Sequence, residues 1–239
     1  MPAVAGAGNP VTPRRDAAGM SITQLFSQHC ACCRQPGPLL CRSCRFSLAS
    51  SSAVVGDGGV QAAMPFDGAG RSAIVSLKYR NRRPVAQQLA QLMVRRLRLA
   101  GTAGPRFDLV TWAPTSAARQ HERGFDQAEL IAREVARLLG VPCRRLLYRS
   151  HGTPQTGQGR AERLGAGRPS FRSRPARPGV RVLVVDDVVT TGATLHAARE
   201  ALAAAGIDQV RLVAAAATPR RPIPLHAGRA AAARLAVAS

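Results

Sequence analysis

The sequence predicts an α/β domain built on an open, mostly parallel sheet with helices on both faces, preceded by a small cysteine-rich module. Helical patterns alternate with short apolar runs, which is typical of such a sheet. The run 180–185 is nearly all β-branched residues or leucine and does not alternate, as expected of a parallel strand buried on both faces. A chain of 239 residues is long enough for one such domain with a substantial core.

The elements follow from apolar spacing and from capping residues. Ile74 and Leu77 share one face of a helix predicted over 70–80, and apolar residues three and four apart after Pro84 predict a second helix that ends at Gly101. Asp126 is a good N-cap, and Glu129 three residues later resembles a capping box. The other predicted elements are a strand over 107–113, a helix from Asp126 to Gly140, a strand over 180–185, a helix over 194–205 and a strand over 210–217.

Composition shifts divide the chain into four parts. We expect a disordered extension over 1–19, the cysteine module over 20–50, the α/β domain over 51–218 and a flexible tail over 219–239, helical at most in its last part. Residues 50–60 look like a linker, and Met20 is an alternative start. No apolar run is long enough to cross a membrane and the first 20 residues contain no signal-like apolar region, so we expect a cytoplasmic protein.

The chain is strongly basic, with 34 Lys and Arg against 13 Asp and Glu and a formal net charge of +21. Lys78 is the single lysine, and all the other basic residues are arginines. Coding bias in a GC-rich genome and attraction to nucleic acid both account for this composition. Aromatic residues are only 4% of the chain, which limits base stacking, while 46% hydrophobic residues exclude wholesale disorder. The charge therefore does not identify a function.

Five of the six cysteines fall within fifteen residues. Four of them form two C-x-x-C pairs separated by seven residues, the pattern of a closed tetrahedral zinc site: Cys30, Cys33, Cys41 and Cys44. Disulfides are the competing interpretation, and the lack of an export signal disfavours them. Cys32 is a spare that could replace Cys33 as a ligand, and Cys143 is an isolated small apolar residue.

The most informative stretch is 182–195, a strand followed by two carboxylates and a loop of small residues that opens a helix. Asp186 and Asp187 belong at the carboxyl end of a strand, where open α/β sheets bind ligands. The loop offers backbone N–H groups, hydroxyls and a helix N-terminus, which suit an anion: Thr190, Thr191, Gly192, Ala193 and Thr194. It lacks the lysine of a P-loop. Asp186 and Asp187 suit an interaction with the hydroxyls of a sugar whose 5′-phosphate lies in the loop. The alternative is that the two carboxylates merely cap the helix.

This stretch closely resembles the 5-phosphoribosyl-1-diphosphate (PRPP) motif of type I phosphoribosyltransferases. The resemblance implies that Asp186 and Asp187 contact the ribose hydroxyls, that the loop 190–194 binds the 5′-phosphate, and that Mg²⁺ lies on the diphosphate side. It also implies the type I phosphoribosyltransferase fold. We expect Arg119, His121 and Arg123 to face the diphosphate, or to be an ordinary solvated basic loop within 114–124.

A wider resemblance narrows the family. A cysteine knuckle, Leu-Lys-Tyr-Arg at 77–80, His-Glu-Arg-Gly-Phe-Asp-Gln-Ala-Glu-Leu at 121–130 and the PRPP motif occur in the order seen in ComF-family proteins. The resemblance runs from about residue 22 to 218. It implies binding of PRPP with Mg²⁺ and a role with single-stranded DNA and the uptake machinery of natural transformation. Asp126 departs from the asparagine usual in the family, and the stretch 152–169 lacks the family's asparagine.

Three functional hypotheses remain open at this point. The stretch 152–169, with Thr153, Gln155, Gln158 and Arg163, is long and glycine-rich, as expected of a lid or of a linker. No residue stands out as a catalytic base, so transferase activity is left undecided. The first hypothesis is a ComF-type PRPP-binding protein. The second is a phosphoribosyltransferase of nucleotide salvage, and the third is a nucleic-acid-binding module with a vestigial pocket.

Overall fold

The computed structural model describes residues 29–55, 59–79, 84–100, 107–150 and 169–218. Its helices are α1 (Arg42–Ser50), α2 (Gly68–Tyr79), α3 (Val85–Leu99), α4 (Ala117–Arg123), α5 (Gln127–Leu139) and α6 (Ala193–Ala204). Its strands are β1 (Val54–Val55), β2 (Gln61–Pro65), β3 (Leu109–Trp112), β4 (Leu147–Arg149), β5 (Phe171–Ser173), β6 (Val182–Val189) and β7 (Val210–Ala217).

The main sheet has five strands in the order β1-β2-β7-β6-β3. Strands β2, β7, β6 and β3 are parallel, and the short β1 pairs antiparallel with β2 at one edge. Helical connections join the parallel strands, so their carboxyl ends meet at one edge of the sheet. The predicted open, mostly parallel sheet is confirmed.

The sheet is buried on both faces, as the unbroken apolar run in β6 predicts. Leu183 and Val185 belong to one core cluster, together with residues of α2, α3 and α5. Val182 and Val184 belong to a second cluster, with residues of α6 and of the β4–β5 hairpin. Successive side chains of a strand point to opposite faces, so this division places helices on both sides of the sheet. The expected layering is confirmed.

The predicted cap of α5 is also confirmed. Asp126 Oδ1 accepts hydrogen bonds from the backbone N–H groups of Ala128 at 3.0 Å and Glu129 at 3.3 Å. The helix ends at Gly140, whose φ of 70° lies in the left-handed region that favours glycine. Glu129 does not complete a capping box, because its Oε1 accepts from Arg133 at 2.6 Å.

Several boundaries differ from the prediction. Strand β6 extends to Val189, so Asp186 and Asp187 lie within the strand rather than after it, because Asp186 stays in register with Ala214 of β7. The stretch 114–124, predicted as a loop, contains α4, which Ser116 caps at its start. The predicted linker 50–60 contains β1, and α2 begins at Gly68 rather than at residue 70.

Other predictions lie outside the described residues. These are the disordered extension 1–19, the lid or linker over 152–168, Arg80, the helix end at Gly101 and the tail 219–239. Within the described ranges, no helix combines the length and the apolar character that a membrane span requires.

Candidate functional site

A polar cleft of about 450 Å³ opens at the carboxyl ends of β3 and β6. Its walls come from α2, from the β3–α4 connection, from α4 and α5, and from the end of β4. The charged residues that line it are Lys78, Arg119, Arg123, Arg149, Asp126, Asp186 and Asp187. The fold thus brings the acidic pair together with Arg119 and Arg123, as the sequence predicts, and adds Lys78 and Arg149.

The two carboxylates of the acidic pair have different environments. Asp186 is buried and accepts a hydrogen bond from the backbone N–H of Asp187 at 2.7 Å. Burial raises the pKa of Asp186 well above its ordinary value, and the negative charge of Asp187 raises it further. Asp187 is more open to the cleft and accepts from the N–H of Val188 at 2.7 Å. The pair therefore offers one buried and one accessible carboxyl group at the floor of the cleft.

Lys78 lines the cleft, although the sequence analysis gave it no place in the site. Its Nζ lies 2.6 Å from Asp187 Oδ2, and the residue stands near the end of α2. This ammonium group offsets the charge of the acidic pair, which otherwise would repel a phosphorylated ligand. The signals in the sequence were its place in the Leu-Lys-Tyr-Arg segment at 77–80 and its rarity, because Lys78 is the only lysine in an arginine-rich chain.

The loop 190–194 adjoins the acidic pair, as the motif predicts. A small concavity of about 30 Å³ is lined by the loop together with Asp186. Gly192 stands at the N-cap of α6 with φ of 78°, and the first turn of the helix follows directly. Thr191 Oγ1 accepts from the N–H of Ala193 at 3.4 Å. The helix dipole and the N–H groups of the first turn make this end of the cleft favourable for an anion.

A basic wall of the cleft comes from α4. Arg119 and Arg123 both line the cleft, and Arg123 Nη1 donates to Gln127 Oε1 at 2.9 Å. His121 is exposed on the same short helix and is not among the residues that line the cleft. Arg119 and Arg123 therefore line the cleft, and His121 does not.

Asp126 has a structural place beside the cleft. Its Oδ2 accepts from the backbone N–H of Thr115 at 2.9 Å, while Oδ1 caps α5. Burial raises the pKa of Asp126; the hydrogen bonds from Thr115, Glu129 and Ala128 act against that effect, and the charge of Asp187 adds to it. The side chain fastens the β3–α4 connection to α5 and so fixes the basic wall.

The four predicted cysteines converge on one point. The Sγ atoms of Cys30, Cys33, Cys41 and Cys44 all lie within 4.8 Å of one another. Cys33 Sγ and Cys41 Sγ are 3.7 Å apart, close to the edge of about 3.8 Å that four sulfurs at 2.3 Å from zinc define. The cluster is consistent with a zinc knuckle.

The four thiols differ in how readily they ionise: burial and the neighbouring thiols Cys41, Cys30 and Cys33 raise the pKa of Cys44. Burial acts to raise the pKa of Cys30, but the backbone N–H groups of Cys41, Cys33 and Cys32 outweigh it and lower that pKa to about 6. A thiol that ionises this readily is a suitable metal ligand. All six cysteines are free, so the structure contains none of the alternative disulfides.

Cys32 and Cys143 lie outside the four-sulfur cluster. Burial raises the pKa of Cys32 to about 12, and its Sγ donates to the carbonyl of Ala69 at 3.4 Å. Cys32 therefore packs the module against α2, and Cys33 takes the place in the cluster. Cys143 is half-buried beside β3, and burial raises its pKa to about 11, in agreement with a packing role.

Comparisons with known proteins show what the chain is similar to. A family model described as phosphoribosyl transferase domain matches residues 126–228. The competence protein ComFC of Bacillus subtilis (strain 168) is 35% identical over 89 residues, which are 37% of this chain and 35% of that protein. Competence protein F of Haemophilus influenzae is 30% identical over 99 residues, 39% of this chain and 43% of that protein. A solved adenine phosphoribosyltransferase aligns with 72% of this chain and 89% of its own at 16% identity and a TM-score of 0.39.

The sheet order, the acidic pair with its loop and the matched domain define a type I phosphoribosyltransferase-like protein. The similarity to two competence proteins and the four-cysteine cluster agree with the resemblance to the ComF family. The chain spans less than half the length of each of these two relatives.

Proposed function

We propose that the cleft binds PRPP together with Mg²⁺. The observation that carries the proposal is that the acidic pair adjoins the loop 190–194 and lines one cleft together with Lys78, Arg119 and Arg123. The carboxylates accept hydrogen bonds from the ribose hydroxyls, and the loop N–H groups bind the 5′-phosphate. The cationic side chains then contact the diphosphate.

The charge balance of the cleft supports a ligand that carries both hydroxyls and phosphates. Four cationic side chains and three carboxyl groups line it, and the pKa of Asp186 and of Asp126 is raised. Mg²⁺ prefers oxygen ligands and keeps several waters, so the diphosphate and ribose oxygens of a bound PRPP would supply the ligands that it prefers. When bound, the ion neutralises diphosphate charge. The residues of this chain supply binding and orientation, and we assign none of them as a catalytic base.

Calorimetric titration of PRPP with Mg²⁺ tests the site. We expect the double variant Asp186→Ala, Asp187→Ala to bind at least about 100-fold more weakly than the wild type, a loss of about 2.7 kcal/mol. Asp208→Ala is the matched control, because Asp208 is an exposed carboxylate outside the cleft. Equal affinity of the wild type and the double variant would overturn the assignment.

We propose more specifically that the protein handles single-stranded DNA. The β4–β5 hairpin supports this proposal. The sequence segments 143–150 and 169–180 carry six arginines and no Asp or Glu. The guanidinium groups of Arg145 and Arg174 lie 4.8 and 5.0 Å from the ring centroid of Tyr148. Arg149 of the same hairpin lines the cleft. Both similar curated proteins are named competence proteins, which agrees with a role in DNA uptake.

Two assays separate this function from its alternatives. Affinity for a labelled DNA single strand should fall steeply with salt, and a flat response would exclude phosphate contacts by the hairpin. Release of diphosphate with one particular nucleobase would instead identify a salvage transferase. A protein that binds DNA but not PRPP would be a nucleic-acid-binding module with a vestigial pocket.

We propose further that Cys30, Cys33, Cys41 and Cys44 hold a structural zinc ion. The free thiols and the cluster geometry support this, and a cytoplasmic location agrees with reduced cysteines. We keep the proposed division of the chain into the cysteine module over 20–50, the phosphoribosyltransferase-like domain over 51–218 and the two chain ends. Metal analysis of the purified protein should give about one zinc per chain.

A further inference from the structure

A second concavity lies between α1 and α3 and shares no lining residue with the polar cleft. It is an open groove of about 620 Å³. Its floor is made by buried leucines from both sides: Leu40, Leu48, Leu89 and Leu92. No carboxylate lines it, and polar groups do not converge on one point as they do in a small-molecule site.

The wall formed by α1 is fixed at both ends. At its start, the backbone N–H of Cys41 donates to Cys30 Sγ at 3.4 Å within the four-cysteine cluster. At its end, Arg96 of α3 donates to the carbonyls of Ala49, at 3.1 Å, and Ser51. A groove with fixed walls loses little conformational entropy when a partner binds, which favours docking.

The rim combines an exposed aromatic ring with positive charge. Phe46 lies at the groove with 72% of its surface exposed, the highest value among the exposed large hydrophobic residues of the described chain. Arg42, Arg45 and Arg95 are exposed around it, and Arg45 Nε is held by the carbonyl of Leu40 at 3.2 Å. An exposed anchor of this kind, surrounded by polar residues, marks an interaction surface.

We propose that this groove binds an acidic amphipathic helix of a partner protein. The leucine floor suits apolar side chains that recur every three or four residues, and the three arginines complement carboxylates on the flanks of such a helix. The two ends of this chain cannot supply the negative charge of such a helix. Asp16 is the single acidic residue in 1–28, and residues 219–239 contain no Asp or Glu. One aromatic ring on a leucine floor gives a nucleic acid little to stack on.

Fluorescence anisotropy with designed peptides tests the proposal on the full chain. The probe is a labelled helical peptide of about 18 residues with leucines in an i, i+3, i+7 stripe and glutamates on its flanks. The control peptide has lysines in place of the glutamates. We expect the acidic peptide to bind at least about tenfold more tightly than the basic one, with an affinity that weakens as salt rises.

Variants on the rim locate the binding. We expect Phe46→Ala and Arg95→Glu each to weaken binding of the acidic peptide by about tenfold, because they remove the aromatic anchor and reverse a rim charge. Both side chains are exposed, so we expect the fold to stay intact. Arg98→Glu is the matched control, since Arg98 is exposed on the same helix but does not line the groove. Circular dichroism and thermal melting confirm that each variant is folded.

Three results would overturn the proposal. The first is that the acidic and the basic peptide bind equally well, or that neither peptide binds at about millimolar concentration. The second is an unchanged affinity in the folded Phe46→Ala and Arg95→Glu variants. The third is displacement of the acidic peptide by a DNA single strand whose own binding depends on Phe46, which would make the groove a nucleic-acid site.

Discussion

The polar cleft and the α1–α3 groove both carry arginines at their edges, yet they are built in opposite ways. The cleft contains a buried carboxyl group, Asp186, and its lining cations include Lys78, which pairs with Asp187. The groove has leucines on its floor, and its cations stay on the rim. The difference sharpens the two proposals: arginines line the cleft proposed for a small charged ligand, and other arginines stand on the rim of the groove proposed for an acidic helix.

Loss of the metal site should separate the two regions most strongly. We expect Cys44→Ser to abolish zinc binding and groove binding, because Cys44 belongs to α1 and to the cluster, and structural zinc contributes about 10–16 kcal/mol to folding in small zinc modules. PRPP affinity should change by less than about threefold, since the cleft stands on the main sheet. Metal analysis and the two binding assays measure this.

Cys143→Ser is the control for that experiment, because Cys143 lies outside the four-sulfur cluster. It should keep the full zinc content. If Cys44→Ser loses PRPP binding as completely as it loses zinc, the two regions are not independent and the comparison fails.

A single methyl group should test the phosphate loop. Gly192→Ala puts a side chain at φ of 78°, where an L-residue costs about 1–2 kcal/mol, and we expect it to weaken PRPP binding by about tenfold. Gly206→Ala imposes the same strain at φ of 77° just beyond the other end of α6, in open space. Gly206→Ala should lower the melting temperature as much as Gly192→Ala does and leave the PRPP affinity unchanged. If both variants lose the same PRPP affinity, backbone strain rather than phosphate contact explains the effect.

Removal of the Lys78 charge should have a smaller effect on the cleft. We expect Lys78→Met to weaken PRPP binding by about fivefold, because the charge of Asp187 is then uncompensated beside a polyanion. Lys78→Arg should recover most of the affinity, and neither variant should alter peptide binding in the groove. Calorimetry at two salt concentrations measures both, and an unchanged affinity in Lys78→Met would remove this residue from the site.

The smallest effect is expected at the base of the sheet, away from both concavities. Arg181 holds Asp108 through three hydrogen bonds of 2.8 to 3.1 Å, and these lower the pKa of Asp108 to about 2 from 3.8. The carboxylate therefore stabilises the fold above pH 3.8, and that stabilisation is lost as the pH falls through about 2. The stability of Asp108→Asn should depend less on pH in this range than that of the wild type, as denaturant titration measures. A parallel pH dependence would contradict the pairing.

Much of the site was predictable because its chemistry is local in sequence. The Asp186–Thr194 stretch and the two C-x-x-C pairs are contiguous, so their residues were found and the structure brings them together. Arg149 was missed as a cleft residue because it reaches the cleft through the tertiary fold alone, and Lys78 was noted only as part of the Leu-Lys-Tyr-Arg segment, without a place in the site. The short strands β1 and β4 carry too few residues for a period to emerge. Helix α4 was missed although Ser116 and Gly124 gave its capping signals.

A structure determined with PRPP and Mg²⁺ bound would test the central claim most directly. The account predicts the 5′-phosphate within hydrogen-bond distance of the backbone N–H groups of the loop 190–194 and the ribose hydroxyls on Asp186 and Asp187. It also predicts the diphosphate beside Lys78 and Arg119. A ligand bound with its diphosphate in the loop, or bound outside the cleft, would contradict it.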